Sequence, residues 1–207
     1  TAAPAPAETR TAFKVASPAA ARVPPAPLAD LEPDGRRVPT YRTRLPPPFH
    51  RLYTLTRGEV VGRAQLACEL DAEGYRLALR SQLPERAEQA LLSRGGQDAH
   101  GLAPERFAEA RRGRERLAAH FDRAGARITY SGPQARHALL PGAQDRLSWL
   151  VQLAAVVAAD PGAWPPGAEI HLPVSGTRGD AGVWTFVVQG EAAPDPTAAP
   201  DRPVLHL

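Results

Sequence analysis

The sequence predicts a mainly β protein: a curved antiparallel meander, or a partly open barrel, with one apolar helix packed on its concave face. Two segments, 59–70 and 75–80, alternate between apolar and polar residues, which is typical of half-buried strands. One segment, 141–160, is apolar with helical spacing instead. Three turns share the pattern Asp-x-x-Gly, with aspartates at positions 71, 98 and 122.

The alternation predicts the strands in order. Phe49 to Arg57 is the first, closed by Gly58. The second places Val60, Gly62, Ala64, Leu66, Cys68 and Leu70 on one face. The small residues among them, Gly62, Ala64 and Cys68, are expected to leave room for a ligand on that face. The third alternates Tyr75, Leu77 and Leu79 with arginines. Further strands are expected near Leu117–Phe121, Arg127–Tyr130, Arg136–Leu139, Glu169–Val174 and Val183–Glu191.

The shared turn pattern has a physical basis. An aspartate side chain accepts a hydrogen bond from the backbone two residues on, and glycine supplies the positive φ that closes a short hairpin loop. We therefore predict positive φ at Gly74 and at Gly125, each of which follows Asp-x-x and precedes a strand.

The segment Pro141–Asp160 predicts a helix, formed from about Ala143 to Ala159. Pro141 suits a first turn, Asp145 lies near the positive end of the dipole, and Pro161-Gly162 ends the helix. Apolar side chains surround it in two stripes, so we expect burial on more than one side, with Leu150 and Leu153 both buried. The first stripe is Leu147, Leu150, Val151, Ala154 and Ala158, and the second is Trp149, Leu153, Val156 and Val157.

Residues 1–47 differ in composition from the rest. Eleven of the 23 prolines lie between Pro4 and Pro48, in alanine-rich surroundings. Such a segment cannot bury enough apolar surface to offset chain entropy, so we expect a disordered, semi-stiff tether. The antiparallel β domain is expected over residues 48–207.

Composition excludes several classes of function. A formal net charge of +3, with Lys14 the only lysine, does not require a nucleic-acid partner. Cys68 is the only cysteine, which excludes an intramolecular disulfide and a cysteine-rich zinc site, and its strand position predicts a core residue. No apolar stretch reaches the roughly 20 residues of a transmembrane helix, so membrane contact is expected only through an anchor absent from this chain.

No catalytic or metal-binding motif stands out. There is no Gly-x-Ser-x-Gly elbow and no phosphate loop, and the six histidines lack metal-site spacing. His120 and His137 fall on nearby strands but have no clear third ligand. The basic run Arg111–Arg116 is interpreted as a solvated, ion-paired turn rather than a contact to anionic lipid. We therefore expect no enzyme activity, no metal and no cofactor.

Several segments together resemble a known family. They are Tyr53, Gly101–Phe107, Ala119–Asp122, Ile128–Ser131 and, most specifically, Leu140-Pro-Gly-Ala-Gln-Asp-Arg-Leu-Ser148. Over residues 45–207 the chain resembles the bacterial domain-of-unknown-function family 3108, typical of exported β-proteobacterial proteins. The resemblance implies an antiparallel β fold, export to the periplasm or envelope, an upstream signal peptide or anchor, and C-terminal truncation within 203–207. It implies no activity.

Two functions remain as hypotheses. In the first, the domain binds an apolar or acyl ligand between sheet and helix, contacted by Leu147, Trp149, Leu150, Leu153 and Val157. In the second, it is a structural or docking module that meets another envelope protein, for instance by edge pairing. The polar signature Gln144, Asp145, Arg146 and Ser148 could bind a ligand group, but capping of the helix and ties to a strand are favoured.

Overall fold

The computed structural model of the chain describes residues 38–57, 59–191 and 205–206. Its largest element is an eight-stranded antiparallel sheet in which each strand pairs with the next along the chain. The strands are β1 (Phe49–Arg57), β2 (Val60–Asp71), β3 (Gly74–Gln82), β4 (Gln89–Asp98), β5 (Gly101–Arg111), β6 (Arg114–Asp122), β7 (Arg127–Tyr130) and β8 (Arg136–Ala138).

The strand order confirms the predicted meander. Because β1 and β8 are the two edges, the sheet is not closed into a barrel. The alternation in β2 is confirmed as well: Gly62, Ala64, Leu66 and Cys68 are buried, while the residues between them are not. We call the face that carries these four side chains the inner face, and the opposite one the outer face.

A second layer covers the inner face. It contains the helix α1 (Ser148–Ala159) and a small sheet of β9 (Gln144–Asp145), β10 (Glu169–Ser175) and β11 (Ala181–Val187), in the order β11-β10-β9. A 3₁₀ turn, Pro161–Ala163, follows the helix, and a two-stranded pair joins β12 (Gly190–Glu191) to β13 (Leu205–His206).

The apolar core has two parts, one on each side of α1. Leu147 and Val151 pack with inner-face residues such as Leu77 and Phe107. Leu153 and Val156 pack instead with residues of the small sheet. The helix is therefore enclosed between two sheets, which is why its sequence is apolar on more than one side.

The predicted start of the helix is wrong. We expected it near Pro141–Ala143, but α1 begins at Ser148. Gly142 adopts a φ of +70°, and Gln144 and Asp145 then pair in parallel with Val174 and Ser175. These tertiary backbone hydrogen bonds replace the helical ones that local sequence favoured.

The predicted boundary at residue 47 is also wrong for its last ten residues. In the ordered segment 38–47, the Tyr41 hydroxyl accepts a hydrogen bond from His171 N (2.9 Å), and Arg44 N donates to Ala155 O (2.9 Å). Leu45 packs against the first core cluster. These contacts make 38–47 part of the domain, whereas the tether predicted over 1–37 and the turn at Gly58 lie outside the described residues.

The turn prediction is half confirmed. Asp71, Asp98 and Asp122 each accept backbone hydrogen bonds within their own loops, and Gly74 has a φ of +147°. Gly125 does not adopt positive φ; the left-handed residue is Ala126, at +47°. This loop is longer, and Ala126 N donates to Arg123 O, so the left-handed position falls one residue later than expected.

Replacing Gly74 with valine is expected to lower the free energy of unfolding by about 1 kcal/mol or more. A Cβ at this position would lie 2.3 Å from Gly95 O, and the φ itself disfavours a branched residue. Chemical denaturation measures the effect. Gly96→Ala is the control, because a Cβ there meets nothing within 4 Å; equal losses in the two variants would contradict the turn geometry.

Candidate functional site

The five predicted ligand contacts occupy three different environments. Leu147 and Leu153 are fully enclosed, at 0% and 2% exposure. Trp149 and Val157 are half-buried, and the Trp149 ring stacks on Phe186 with centroids 5.1 Å apart. Leu150 was expected to be buried but is 38% exposed, because the flank of α1 that carries it faces neither sheet. The structure thus does not bring these residues together around one space.

Small residues on β2 were expected to leave room for a ligand. Gly62 and Ala64 instead lie on the inner face in close contact with the fold: a Cβ on Gly62 would lie 2.4 Å from Gln82 O. Cys68 is 1% exposed, and burial raises the pKa of its thiol to about 11. The prediction that Cys68 is a core residue is confirmed, and its thiol is unsuited to nucleophilic chemistry.

The polar signature forms a buried hydrogen-bond network at the start of α1. Asp145 Oδ1 accepts hydrogen bonds from the backbone N–H groups of Leu147 and Ser148, both at 2.8 Å. In return, Asp145 N donates to Ser148 Oγ at 2.9 Å. Asp145 therefore satisfies two of the free amides at the helix start, as the structural interpretation of this motif predicted.

Two residues from the large sheet complete this network, and sequence reasoning missed both. Ser93 Oγ on β4 donates to Asp145 Oδ2 at 2.5 Å, and the Tyr75 hydroxyl on β3 lies 2.8 Å from Ser93 Oγ. Since the Ser93 proton goes to the carboxylate, the Tyr75 hydroxyl donates to Ser93. A chain of hydrogen bonds thus joins two strands of the large sheet to the helix.

Burial determines the protonation of this network. Asp145 is fully enclosed, and the loss of water around its carboxylate raises the pKa from 3.8 to about 6, although the hydrogen bonds from Ser93, Ser148 and Leu147 act in the opposite direction. The Tyr75 pKa is raised well above 10, first by burial and then by the nearby Asp145 charge. Ser93 and Asp145 are at most 2% exposed, so no substrate can reach them.

Gln144 and Gln152 attach the second layer to the start of β5. Gln144 Nε2 donates to Leu102 O at 2.8 Å, and Gln152 Oε1 accepts from Leu102 N at 3.0 Å. Gly101 adopts a φ of +106°, which favours glycine, and a Cβ would also lie 2.4 Å from Gln152 Oε1. Gln144 thus ties the helix region to a strand, as predicted.

Arg146 is the half-exposed member of the signature. Its guanidinium pairs with Asp180 at 2.5 Å, in the loop between β10 and β11, and lies 5.9 Å from the centroid of the Trp184 ring. Both contacts hold that loop against the helix start. All four signature residues therefore have structural partners within the domain.

The histidines do not converge on a metal site. His120 on β6 and His137 on β8 are two strands apart in the sheet. His120 Nε2 lies 2.9 Å from an Arg106 nitrogen, whereas His137 Nε2 lies 2.9 Å from Gly179 O. Burial first, and then the Arg106 charge, lower the pKa of His120 below 6.5. Among residues 38–57, 59–191 and 205–206, no group of three His, Cys, Asp or Glu side chains is placed to hold a metal ion.

A cavity of about 400 Å³ lies on the outer face of the large sheet. Its floor is a row of apolar residues placed directly opposite one another on successive strands: Ala67 on β2, Ala78 on β3, Leu92 on β4 and Ala108 on β5. At about 4.8 Å between strands, the row spans about 14 Å. We call this cavity the outer groove; none of the five predicted ligand contacts lines it.

Charged residues border the outer groove. Arg76, Arg94 and Arg106 lie opposite one another in register on β3, β4 and β5, next to the apolar row. Arg106 pairs with Glu115, which also lines the cavity. Within the described part of the chain, Arg76 and Arg94 form neither a hydrogen bond nor an ion pair. The groove therefore combines an apolar floor with two guanidinium groups that have no hydrogen-bond or ion-pair partner among the described residues.

The fold and this groove define a mainly β domain with one sheet face covered and the other open. No family model matches the sequence, and no curated protein and no solved structure matches it significantly. The resemblance to family 3108 therefore stays a prediction. Among the described residues, no helix is long and apolar enough to cross a bilayer.

Proposed function

We propose that this chain is a binding module that holds an apolar or acyl ligand in the outer groove. The observation that carries the proposal is the row of four apolar side chains, three alanines and Leu92, aligned across β2 to β5 at the bottom of an open cavity. A volume of about 400 Å³ falls within the usual range for small-molecule sites.

The chemistry of the floor supports a chain-like ligand. Alanines at Ala67, Ala78 and Ala108 keep the floor low between longer neighbours, and Leu92 adds a larger apolar contact. Each methylene that leaves water contributes about 0.8 kcal/mol, so an aliphatic chain along the row gains affinity with its length. Ser93 is the one hydroxyl residue in the lining, but it is 2% exposed and its Oγ donates to the buried Asp145 carboxylate, so the proposal is binding rather than catalysis.

The proposed setting is the bacterial envelope. It rests on the resemblance to exported proteins of family 3108 and on the proline- and alanine-rich composition of residues 1–37. A proline-rich segment acts as a semi-stiff spacer, which suits a domain held at a distance from an anchor. We propose an exported or periplasmic location with membrane attachment outside this chain.

Blocking the groove tests the function. Ala78→Phe places a ring on the half-buried centre of the floor, and we expect it to reduce binding of a fluorescent fatty-acid probe at least tenfold. Ala154→Phe is the control, because it adds the same bulk on an exposed position of α1. If both variants bind the probe like the wild type, or if the wild type does not bind it, the outer groove is not the site.

A second candidate function, protein docking, is favoured by one observation. β1 is a nine-residue strand at the edge of the large sheet, with Leu52 46% exposed. An edge strand offers unpaired backbone groups to an incoming strand. Native mass spectrometry of protein purified from its own envelope separates the two functions: a co-purified acyl ligand supports the first, and a stoichiometric protein supports docking.

A further inference from the structure

A second cavity adjoins the outer groove and shares a wall with it. Its volume is about 160 Å³, and it lies toward the turn between β2 and β3. Glu69, Arg76 and Arg94 line both cavities. The apolar row runs across the strands, and these two arginines flank it on β3 and β4. A ligand whose head group turns from the row along these two strands therefore passes the arginines and reaches the second cavity.

Apart from the two arginines that it shares with the outer groove, the second cavity is lined by several acidic residues. Its lining includes Asp71, Glu73 and Glu105, besides the shared Glu69. Asp71 accepts hydrogen bonds from Glu73 N and Gly74 N, at 2.8 and 3.0 Å. Within the described part of the chain, the carboxylates of Glu69, Glu73 and Glu105 form no ion pair. Glu69 lies directly opposite Arg76, so Glu73 and Glu105 are the carboxylates best placed to attract a cation.

Arg94 is the least compensated of the arginines between the two cavities, because Glu69 lies directly opposite Arg76. Like charges directly opposite on neighbouring strands destabilise a sheet, and Arg94 has an arginine opposite on both sides. Arg106 is neutralised by Glu115, whereas Arg76 and Arg94 are not paired. A phosphate or carboxylate over Arg76 and Arg94 would remove this repulsion and accept charge-assisted hydrogen bonds.

We propose that the ligand is a zwitterionic amphiphile in which the anionic group lies between the aliphatic chain and the cationic group. The proposal rests on the proposed function, because the chain is the part that occupies the outer groove. Along the outer face, the apolar floor is followed by the guanidinium pair and then by the carboxylate cluster. A ligand with the same order has its chain first, its anionic group second and its cationic group last. An anion-only ligand would leave the carboxylates unpaired, and a cation-only ligand would meet the arginines first.

Two probes with the same chain and opposite charge order test this directly. Dodecylphosphocholine carries the phosphate next to the chain, whereas a dodecyl sulfobetaine carries the ammonium there, and both have zero net charge. Calorimetric titration of the full chain below the micelle concentration is expected to give an affinity for dodecylphosphocholine about fivefold higher, the scale of two or three exposed charge pairs. The difference should shrink as salt concentration rises.

Variants assign the preference to its residues. Arg94→Gln and Glu105→Gln are expected to remove most of the difference between the two probes while leaving the affinity for uncharged dodecyl maltoside within about twofold. Arg63→Gln, an exposed β2 position outside both cavities, is the control.

The outcomes distinguish failure of the charge order from failure of the proposed function. Equal affinity for the two zwitterions, or preference for the sulfobetaine, would overturn the charge order and leave chain binding intact. No binding of any probe, dodecyl maltoside included, would overturn the proposed function and this inference with it.

Discussion

Replacing Asp145 with alanine is expected to lower the free energy of unfolding by about 3 kcal/mol at pH 7. Three buried donors, Leu147 N, Ser148 N and Ser93 Oγ, would lose their acceptor, at about 1–3 kcal/mol each. Removing the buried charge also removes its desolvation cost, which offsets part of this loss in the free energy of unfolding. Chemical denaturation measures the change, and a loss below about 1 kcal/mol would contradict the network.

The same residue should make stability depend on pH in a defined direction. The folded-state pKa of Asp145, about 6, is above its ordinary 3.8, so between these values the folded protein binds more protons than the unfolded one. This contribution is present in full below pH 3.8 and is lost as pH rises through 6; it amounts to about 3 kcal/mol.

Asp145→Asn isolates that contribution, because asparagine keeps an acceptor for the two backbone amides and does not titrate. The stability of the wild type minus that of Asp145→Asn should fall by about 2 kcal/mol between pH 4 and pH 7, which is most of the full contribution. A difference that stays level, or rises with pH, would show that the carboxyl is not desolvated in the folded state.

The second large effect is expected from the enclosed side of the helix. Leu153→Ala should cost about 2–5 kcal/mol, because Leu153 is 2% exposed and packs between α1 and the small sheet. Leu147→Ala, at 0% exposure, should fall in the same range. Neither variant should alter binding of the fatty-acid probe to the outer groove.

Leu150→Ala is the matched control on the same helix. Leu150 is 38% exposed, so its truncation removes less buried surface and should cost under about 1 kcal/mol. Comparable losses at Leu150 and Leu153 would mean that the exposed flank of α1 is covered by something outside the described residues.

The strands were predictable because their signal is local. In β2 the buried positions alternate with the others along the chain, so period two alone identifies the strand and its inner face. β4 was not singled out as a strand, since Leu91 and Leu92 are adjacent apolar residues and both are half-buried. A strand with apolar side chains on both faces loses the alternation that reveals it.

The buried network was only half predictable. That Asp145 would accept amide hydrogen bonds at a helix start follows from the local motif. Its partner Ser93 lies 52 positions earlier, and the contact exists only because β4 passes beneath the helix start. The same tertiary pairing shortened the helix, since Gln144 and Asp145 form β9 instead of a first turn.

The outer groove could not be found by reading along the chain. Each strand contributes a single apolar residue to its floor, for example Ala78 between Leu77 and Leu79. Only the register between strands aligns Ala67, Ala78, Leu92 and Ala108. The ligand site was predicted on the most apolar segment of the sequence instead. Leu147 and Leu153 in that segment are apolar because they pack in the protein core.

Methyl NMR is the most direct test of where a ligand binds. In protein labelled at alanine, leucine and valine methyl groups, titration with a fatty acid should shift Ala67, Ala78 and Leu92 first and most strongly, with Leu147 and Leu153 unchanged. Shifts confined to Leu147, Leu153 and Val157 would place the ligand at the helix, and would contradict a binding site on the outer face of the sheet.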